Sequence, residues 1–591
     1  MSKTTRASGK AEVNRRNFLA RGAAAGVGVV AIAGTGAHEA TAQNGNGSIK
    51  WDYAADVVVI GAGVAGLPAA ITARDNGASV IIVDENFDIG GRGILSGGRV
   101  QVGGGHALQQ KLGIKDTPDM LFNDWVRFDH SESRYADRDL IRVFADENVP
   151  TYDFLIENGV EFIEKPIRSP DASTVDRIFV TKEWHIPSQV YAPRRGRNGS
   201  GLVRRMEESA RKKGVQIFLK HKMTSIVREK HNAGRVLGIV TIAGSNPVNI
   251  QARKGVIIAT GGHTGNVNFR RIFDPRLTEE YQQACSPYVH QGADGELAAM
   301  DIGASLWSTA NQTVDEAAQI TKTRHIGCRW GYSSLVYEPD SPMFQQARAT
   351  GLTVRDWQNM IFVNHNGKRF WDETDSQMFP QAKATGLTVK DWQNLIMVNQ
   401  FGQRFWNEAD DSYKFFNAAM AYSGDKNKLN GGGPIWAIFD ADGAAREKWN
   451  TKPPNVDPDG WFYSADTLSE LAGRIKSQYQ KQPMPGAALT ETVARYNSFV
   501  AEGVDKDFKK KTPMHKIEKP PFYAAWATPI LHDTLTGLRT NTSTEVIDMR
   551  GEVIPNLYCA GESQGGFAQH GLARCLVFGR IAGRTAAKNT A

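Results

Sequence analysis

A glycine-rich turn near the start of the chain has the spacing that dinucleotide binding requires. Residues 56–60 (DVVVI) predict a buried parallel strand, and residues 67–76 predict a helix. Between them, Gly61, Gly63 and Gly66 permit a tight turn and let the backbone approach a pyrophosphate, which the helix N-terminus attracts. A second predicted strand ends at Asp84 and Glu85, where an acidic side chain can bind the ribose hydroxyls. These features together predict a dinucleotide site rather than a glycine-rich turn without a ligand.

Other small-residue motifs along the chain add to this site. The predicted cofactor-binding residues outside the first turn are Gly90, Gly91, Ser96, Gly97, Gly98, Ala259, Thr260, Gly261, Asp294, Glu562 and Leu576. With residues 488–500 (ALTETVARYNSFV) and 553–558 (VIPNLY), these motifs resemble the FAD-containing fumarate reductase and succinate dehydrogenase flavoprotein superfamily, which includes the 3-ketosteroid dehydrogenases. The resemblance covers about residues 55–590.

The resemblance implies FAD as the cofactor, with Glu562 holding its ribityl chain. The last predicted helix, from Leu572, would direct its N-terminus at the pyrimidine edge of the flavin and stabilise negative charge there. In succinate dehydrogenases a histidine just before a glycine pair carries the flavin covalently. Residues 93–98 (GILSGG) contain no histidine, so we expect non-covalent FAD.

The resemblance also predicts the domain organisation. We expect an α/β fold, with an FAD-binding Rossmann-like domain of the GR2 type and an inserted α+β capping domain. The FAD domain is predicted at 50–280 and 525–591, with a β-hairpin segment within 360–408, and the capping domain at 281–524. Residues 340–373 recur as 375–408 at a period of 35, which indicates a tandem duplication rather than a solenoid.

The first 42 residues resemble a twin-arginine export signal. Arg15 and Arg16 precede Phe18 and Leu19, a short apolar run follows, and residues 40–42 (ATA) fit a cleavage site. We therefore expect a periplasmic protein. No other apolar run approaches the length of a membrane span, so we expect no stable membrane insertion of the mature chain.

Composition and cysteine spacing limit the kinds of partner and cofactor that we expect. The 591 residues carry a net charge of +7 without a block of basic residues, which argues against nucleic-acid binding. The four cysteines, Cys285, Cys328, Cys559 and Cys575, have no haem, iron–sulfur or zinc spacing, so we expect no metal. Electrons would have to come from or go to a separate protein or a quinone.

Reduction of a polarised C=C bond needs a hydride, a proton donor and groups that stabilise charge on the activating group. By resemblance, fumarate reductases use an arginine acid and further His and Arg residues that clamp two carboxylates. The candidates here are His532, His570, Arg574 and Arg446. Tyr413, five residues after Glu408, is similar to a tyrosine of ketosteroid-dehydrogenase-like members.

Several substrate-binding motifs of fumarate reductases are altered. Residues 308–313 (STANQT) replace His-Pro-Thr, Glu-x-x-Arg lacks its arginine after Glu408, and residues 532–537 (HDTLTG) keep only the first histidine of His-His-Thr-Met-Gly-Gly. Because a dicarboxylate needs several fixed cations, we expect a substrate other than fumarate. Clustered aromatic residues favour an apolar, partly aromatic small molecule. They are Trp307, Trp330, Tyr332, Trp357, Trp392 and Trp406.

Three interpretations stay open from the sequence. The first is an exported FAD-dependent reductase that transfers hydride from flavin N5 to a C=C bond activated by a carbonyl or carboxylate. The second is a ketosteroid-type dehydrogenase that passes electrons to a quinone or cytochrome and uses Tyr413 or Tyr332 as base. The third is a flavin-binding subunit without a substrate of its own.

Overall fold

The computed structural model describes residues 49–126, 136–167, 175–184, 197–284, 289–307, 318–321, 325–326, 387–388, 392–408, 433–453, 455–480, 482–510, 514–528, 530–567, 569 and 571–590. The chain divides into residues 1–50 and 51–591, and the elements below belong to the second unit. The predicted export signal, the first copy of the repeat, Tyr413 and His570 lie outside the described residues.

The described strands are short except around the first sheet. In chain order they are β1 (Tyr53–Ile60), β2 (Val80–Asp84), β3 (Arg99–Gln101), β4 (Ile178–Val180), β5 (Gln216–Leu219), β6 (His221–Lys230), β7 (Ala233–Ala243), β8 (Asn246–Ile258), β9 (Gln282–Gln283), β10 (Leu306–Trp307), β11 (Ala318–Thr321), β12 (His325–Ile326), β13 (Leu387–Thr388), β14 (Ile396–Val398), β15 (Trp436–Phe439), β16 (Phe462–Ala465), β17 (Phe522–Trp526), β18 (Ile530–Thr534), β19 (Gly537–Leu538), β20 (Glu545–Ile547) and β21 (Val553–Cys559).

Twelve α-helices are described in the same ranges. They are α1 (Gly66–Asp75), α2 (Ala107–Lys111), α3 (Pro118–Trp125), α4 (Arg138–Asp146), α5 (Asn148–Glu157), α6 (Arg197–Lys212), α7 (Val267–Phe273), α8 (Asp294–Asp301), α9 (Ala441–Glu447), α10 (Leu468–Arg474), α11 (Gly486–Glu502) and α12 (Leu572–Lys588). No helix in these ranges is both long and apolar enough to cross a membrane.

The largest sheet has the strand order β20-β21-β8-β1-β2-β5, and the adjacent pairs from β21 to β5 are parallel. Strand β1 is rich in β-branched residues, and its inner half is buried on both faces, as expected for a central parallel strand. Helices α1 and α12 cover one face of this sheet. They lie in close contact with each other, since a Cβ on Gly583 would lie 2.0 Å from the Ala69 carbonyl oxygen. The predicted α/β class is confirmed.

A second, antiparallel sheet with the order β14-β15-β17-β16 is formed by strands between residues 396 and 526. Apolar clusters cover its two faces, and α10 and α11 pack on one of them. Strand β14 pairs with β15, so residues 396–398 of the 360–408 segment join this second sheet, whereas β13 pairs with β12. The predicted domain boundaries stay predictions.

Arg177 joins the loop before α3 to the helix itself through a fully buried ion-pair network. Its guanidinium donates to Asp116 at 2.8 and 2.7 Å and to Asp124 at 2.6 Å. Burial alone would raise the pKa of Asp116, but hydrogen bonds and the charge of Arg177 lower it below its usual value. The buried charges are tolerated because the guanidinium and the two carboxylates compensate one another's opposite charge.

We predict that Arg177→Met lowers the free energy of unfolding by about 3–5 kcal/mol, because it leaves two buried carboxylates without their cation. Equilibrium urea denaturation measures this change. Lys111→Met is the matched control, because its 2.6 Å ion pair with Glu164 is more than half exposed, and it should cost less than about 1 kcal/mol. Equal losses in the two variants would contradict the prediction.

Candidate active site

The glycine turn follows β1 and adopts the geometry that the sequence predicts. Gly61 has φ of 104°, and its N–H donates to the Val83 carbonyl oxygen at 2.7 Å. A Cβ on Gly66 would lie 1.8 Å from the Gly61 carbonyl oxygen, so only glycine allows this approach of turn and helix. A Cβ on Gly63 would meet no atom of the described residues within 4 Å. The turn therefore leaves open space beside Gly63, at the N-terminus of α1.

The two acids after β2 have different surroundings. Asp84 accepts hydrogen bonds from the Ala62 N–H at 2.7 Å and the Asn86 N–H at 2.8 Å. Burial raises the pKa of Asp84 to about 6, although these hydrogen bonds oppose the rise. Glu85 is exposed and pairs with Lys222 at 3.2 Å, and Lys222 also pairs with Asp294 at 3.2 Å. Asp84 therefore belongs to the turn, whereas Glu85 lies at the rim.

One described group could hold a metal ion by distance alone. Glu85, His290 and Asp294 bring ligand atoms within 4.8 Å of one another. The Lys222 ammonium group lies against both carboxylates of this group. These carboxylates therefore already have a cationic partner.

The loop after β2 folds against the first turn. The Gly90 N–H donates to the Ala62 carbonyl oxygen at 2.9 Å, and a Cβ on Gly91 would come within 4.0 Å of Gly63. Ser96 accepts from the Gly98 N–H at 3.2 Å, and Ser96 and Gly97 are half-buried. The loop thus leaves Ser96 and Gly97 accessible to a bound ligand.

The turn after β8 meets the turn after β21 beside β1. The Thr260 and Ser563 hydroxyl oxygens are 2.9 Å apart, and the Gly262 N–H donates to Ser563 at 3.2 Å. The Ala259 N–H donates to the Ile60 carbonyl oxygen at 2.9 Å. Gly261 accepts a hydrogen bond from the Gln291 side chain. Segments more than 300 residues apart therefore converge at the carboxyl ends of parallel strands, where α/β proteins bind ligands.

Arg92 connects these segments. Its guanidinium donates to Gln291 Oε1 at 2.8 Å and to Glu562 Oε1 at 3.1 Å, and it also pairs with Asp533. Glu562 accepts from Gln291 at 2.8 Å through its other oxygen. Burial raises the pKa of Glu562 to about 7; Arg92 opposes the rise and Asp533 adds to it. Two carboxylates thus share one guanidinium at the edge of the site.

Two predicted residues on α12 are buried beneath the site. Arg574 donates to the Thr534 carbonyl oxygen at 3.0 Å and to the Gln564 carbonyl oxygen, and burial lowers its pKa. Its Nε has no hydrogen-bond partner among the described residues. Leu576 is fully buried in the apolar cluster between α12 and the sheet. In this structure Arg574 holds two backbone segments of the site, and its substrate role stays a prediction.

The structure describes two of the remaining catalytic candidates, His532 and Arg446, and they lie on different elements. His532 lies on β18 with 23% of its side chain exposed, and its Nδ1 is 3.2 Å from Asp533 Oδ1. Arg446 is exposed on α9 and donates to Asn394 Oδ1 at 2.7 Å. His570 and Tyr413 lie outside the described residues. Among the described candidates, His532 is therefore the partly exposed residue next to the Arg92 cluster.

Glu408, whose motif lacks the arginine of Glu-x-x-Arg, has other cationic partners for its carboxylate. Glu408 is fully buried and pairs with Arg404 at 2.9 and 2.7 Å and with Lys510 at 3.3 Å. It also accepts from the Met397 N–H at 2.9 Å. These contacts fix the turn after β14 against the 505–510 loop, so Glu408 stabilises the packing of these two segments.

Sequence reasoning missed Arg92, Gln291 and Asp533. Arg92 directly follows the predicted Gly90–Gly91 pair, and Asp533 directly follows His532, so both were adjacent to predicted positions. Two features of the sequence could have indicated these residues: an arginine directly after a glycine pair, and an acid in place of a histidine. Their pairing was not visible, because they are 441 residues apart.

The turn, the acid after β2 and the converging strand ends define a dinucleotide-binding protein of the α/β class. The chain belongs to the FAD binding domain family, whose match covers residues 56–574. It is an FAD-dependent oxidoreductase. The open space beside Gly63 fits this cofactor, since a pyrophosphate needs close backbone approach at a helix N-terminus.

Relatives of stated activity match over most of the chain. The chain is 25% identical to the NADH:acrylate oxidoreductase of Vibrio harveyi over 90% of its own length, and spans half of that protein. It is 26% identical to the acrylate reductase flavoprotein subunit of Shewanella woodyi (strain ATCC 51908 / MS32), with 98% of this chain and 99% of that protein covered.

A solved structure has the same fold. The open conformation of a flavocytochrome c3 fumarate reductase matches with a TM-score of 0.60 and 23% identity, covering 91% of this chain and 79% of that chain.

We predict that Gly63→Ala leaves the stability of the FAD-free protein unchanged within about 0.5 kcal/mol but weakens FAD binding at least tenfold. The added methyl group has open space in the protein and would occupy the space for the pyrophosphate. Fluorescence titration with FAD and urea denaturation measure the two quantities.

Gly66→Ala is the matched variant. Its methyl group would collide with the Gly61 carbonyl oxygen at 1.8 Å, so it should lower both stability and FAD binding. If Gly63→Ala bound FAD normally, the open space would not be the pyrophosphate site.

Proposed function

We propose that this protein is the flavoprotein subunit of a reductase that acts on C=C bonds conjugated to a carboxylate or carbonyl group. The observation that carries the proposal is the end-to-end match to an acrylate reductase flavoprotein subunit. A flavoprotein subunit needs an electron supply, so we propose a separate protein or quinone as donor. The net reaction adds two electrons and two protons to the alkene.

The charges at the site support a substrate other than fumarate. Asp533 occupies the position where fumarate reductases, by resemblance, have a second histidine. Asp533 and Glu562 both contact the guanidinium of Arg92. Arg574 is buried and its guanidinium donates to backbone carbonyl groups. A dianionic substrate would find fewer cations here than its desolvation requires. One carboxylate or carbonyl group is the better fit.

Trp307 supports an apolar or aromatic substituent on this substrate. A Cβ on Gly566 would lie 2.7 Å from its ring, so the ring packs on the segment that leads towards α12. Arg539 lies over the same ring at 5.5 Å from its centroid. Trp406 is buried in the second sheet, and the other predicted aromatic residues are outside the described side chains.

Residues of the glycine turn and Glu562 would hold FAD, and the absence of histidine from residues 93–98 supports non-covalent attachment. Bound FAD supplies hydride transfer. One alkene carbon receives the hydride and the other receives a proton. His532 would hold this proton, because it is a partly exposed titratable residue next to the Arg92 cluster. Acid precipitation should release all the FAD; flavin retained in the pellet would contradict non-covalent binding.

We predict turnover of acrylates, cinnamates or conjugated enones with reduced methyl viologen as electron donor. The purified FAD-loaded protein is assayed anaerobically with this panel and with fumarate, and dye oxidation is followed. At least one monocarboxylate or enone should have a kcat/KM more than tenfold above that of fumarate. Oxidation of saturated ketosteroids with a dye acceptor, without any alkene reduction, would favour the dehydrogenase interpretation instead.

We also propose export by the twin-arginine route, which rests on Arg15 and Arg16 and the residues after them. Replacing both arginines by lysine should retain the protein, with its signal uncleaved, in the cytoplasm of a producing bacterium. Cell fractionation and N-terminal sequencing of the periplasmic protein measure this. Undiminished export of the variant would contradict the proposal.

A further inference from the structure

A lysine at the start of β6 contacts two carboxylates that come from different parts of the chain. Lys222 Nζ lies 3.2 Å from Glu85 Oε2 and 3.2 Å from Asp294 Oδ1. Glu85 directly follows β2, and Asp294 is the first residue of α8. The Lys222 side chain is 48% exposed, and the two acidic side chains are 37% and 33% exposed. The ammonium group therefore lies at the rim of the site, where a bound molecule can reach it.

The two carboxylates would repel each other without this cation. Ligand atoms of Glu85, His290 and Asp294 all lie within 4.8 Å of one another. Partial burial alone would lower the pKa of Lys222, but the charges of Asp294 and Glu85 raise it above its usual value. Lys222 is therefore protonated at neutral pH, and its charge offsets both acidic neighbours.

Backbone contacts place this group at the edge of the sheet that carries the cofactor turn. Strands β2 and β5 are parallel neighbours, and one residue separates β5 from β6. That residue, Lys220, donates its N–H to the Asn86 carbonyl oxygen in the loop after β2 at 3.0 Å. The start of α8 joins the same edge, because the Ala293 N–H donates to the Gly262 carbonyl oxygen at 3.3 Å. Lys222 thus lies beyond the carboxyl ends of β2 and β5.

We propose that Lys222 is a positioning residue for the adenosine half of FAD, and that it acts by offsetting the charges of Glu85 and Asp294. In a dinucleotide site of this class, the acidic end of the second strand receives the adenosine ribose, and the pyrophosphate lies at the helix N-terminus after the glycine turn. Without Lys222, two unpaired carboxylates would face an anionic cofactor. The ammonium group reduces their net charge to one and holds both at the rim.

The first measurement is the dissociation constant of FAD at two salt concentrations. FAD-free protein is titrated with FAD, and flavin fluorescence is followed. Lys222→Met should bind FAD about five- to tenfold more weakly than the wild type in about 0.02 M sodium chloride, and within about twofold of it in about 0.5 M, because salt screens exposed charges. Lys222→Arg keeps the charge and should bind within about twofold of the wild type at both concentrations. A loss in Lys222→Met that did not depend on salt would overturn the proposal.

A second substitution tests whether Lys222 acts through the carboxylates. Lys222→Met/Glu85→Gln removes the cation together with one of the two charges that it offsets. At low salt this double variant should bind FAD at least about threefold more tightly than Lys222→Met. If the double variant bound no more tightly than Lys222→Met, the loss would not come from uncompensated charge, and the proposal would be wrong.

Lys213→Met is the matched control for the loss of one surface cation. Lys213 is 34% exposed and pairs with Asp75, which is 41% exposed. It precedes β5, whereas Lys222 follows this strand, so the two lysines lie at opposite edges of the sheet. Lys213→Met should keep the FAD affinity within about twofold of the wild type. Equal losses in the two variants would show an effect of net charge alone and would contradict the proposal.

This inference concerns the cofactor and not the substrate, so its failure is distinguishable from failure of the proposed function. A wild type that reduced no alkene would leave the effect of Lys222 on FAD affinity unchanged. Normal FAD affinity of Lys222→Met at low salt would overturn the inference and leave alkene reduction by the FAD-loaded protein unaffected.

Discussion

The site depends on one guanidinium that two carboxylates share. Arg92 contacts Asp533 and Glu562 and also donates to Gln291, so it joins the loop after β2, β18, the turn after β21 and the segment before α8. A guanidinium matches this role because its donors point in fixed directions in one plane. Without it, two carboxylates would be buried near each other, which costs several kcal/mol by the usual range for unpaired buried charges.

The nucleotide turn and the substrate side of the site are built in different ways. Backbone groups and glycines form the turn, where Gly66 and Gly61 come too close for any side chain. Charged side chains from distant segments form the other side. A turn formed by the backbone suits a cofactor that many relatives share. Charged side chains can be replaced one at a time, which suits a site whose substrate differs between relatives. The replacement of a second histidine by Asp533 is a change of this second kind.

Local spacing was enough to predict the cofactor turn, whereas the α/β fold was predicted from the resemblance to a flavoprotein superfamily. The strand, turn, helix and acid at Asp84 are consecutive in the sequence, and the structure keeps them consecutive in space. The partners of charged residues could not be predicted in this way. Arg446 donates to Asn394, Glu408 pairs with Lys510, and Arg92 pairs with Asp533 across 441 residues. Such pairs arise from tertiary packing, which no short motif encodes.

The most direct test of the account is an anaerobic titration of the reduced FAD-loaded protein with a conjugated monocarboxylate alkene. The account predicts that one equivalent of alkene restores the oxidised flavin spectrum and yields one equivalent of the saturated acid. It also predicts that fumarate is a poorer oxidant than this alkene. The account would be contradicted if no alkene re-oxidised the flavin while a saturated ketone bleached the oxidised protein.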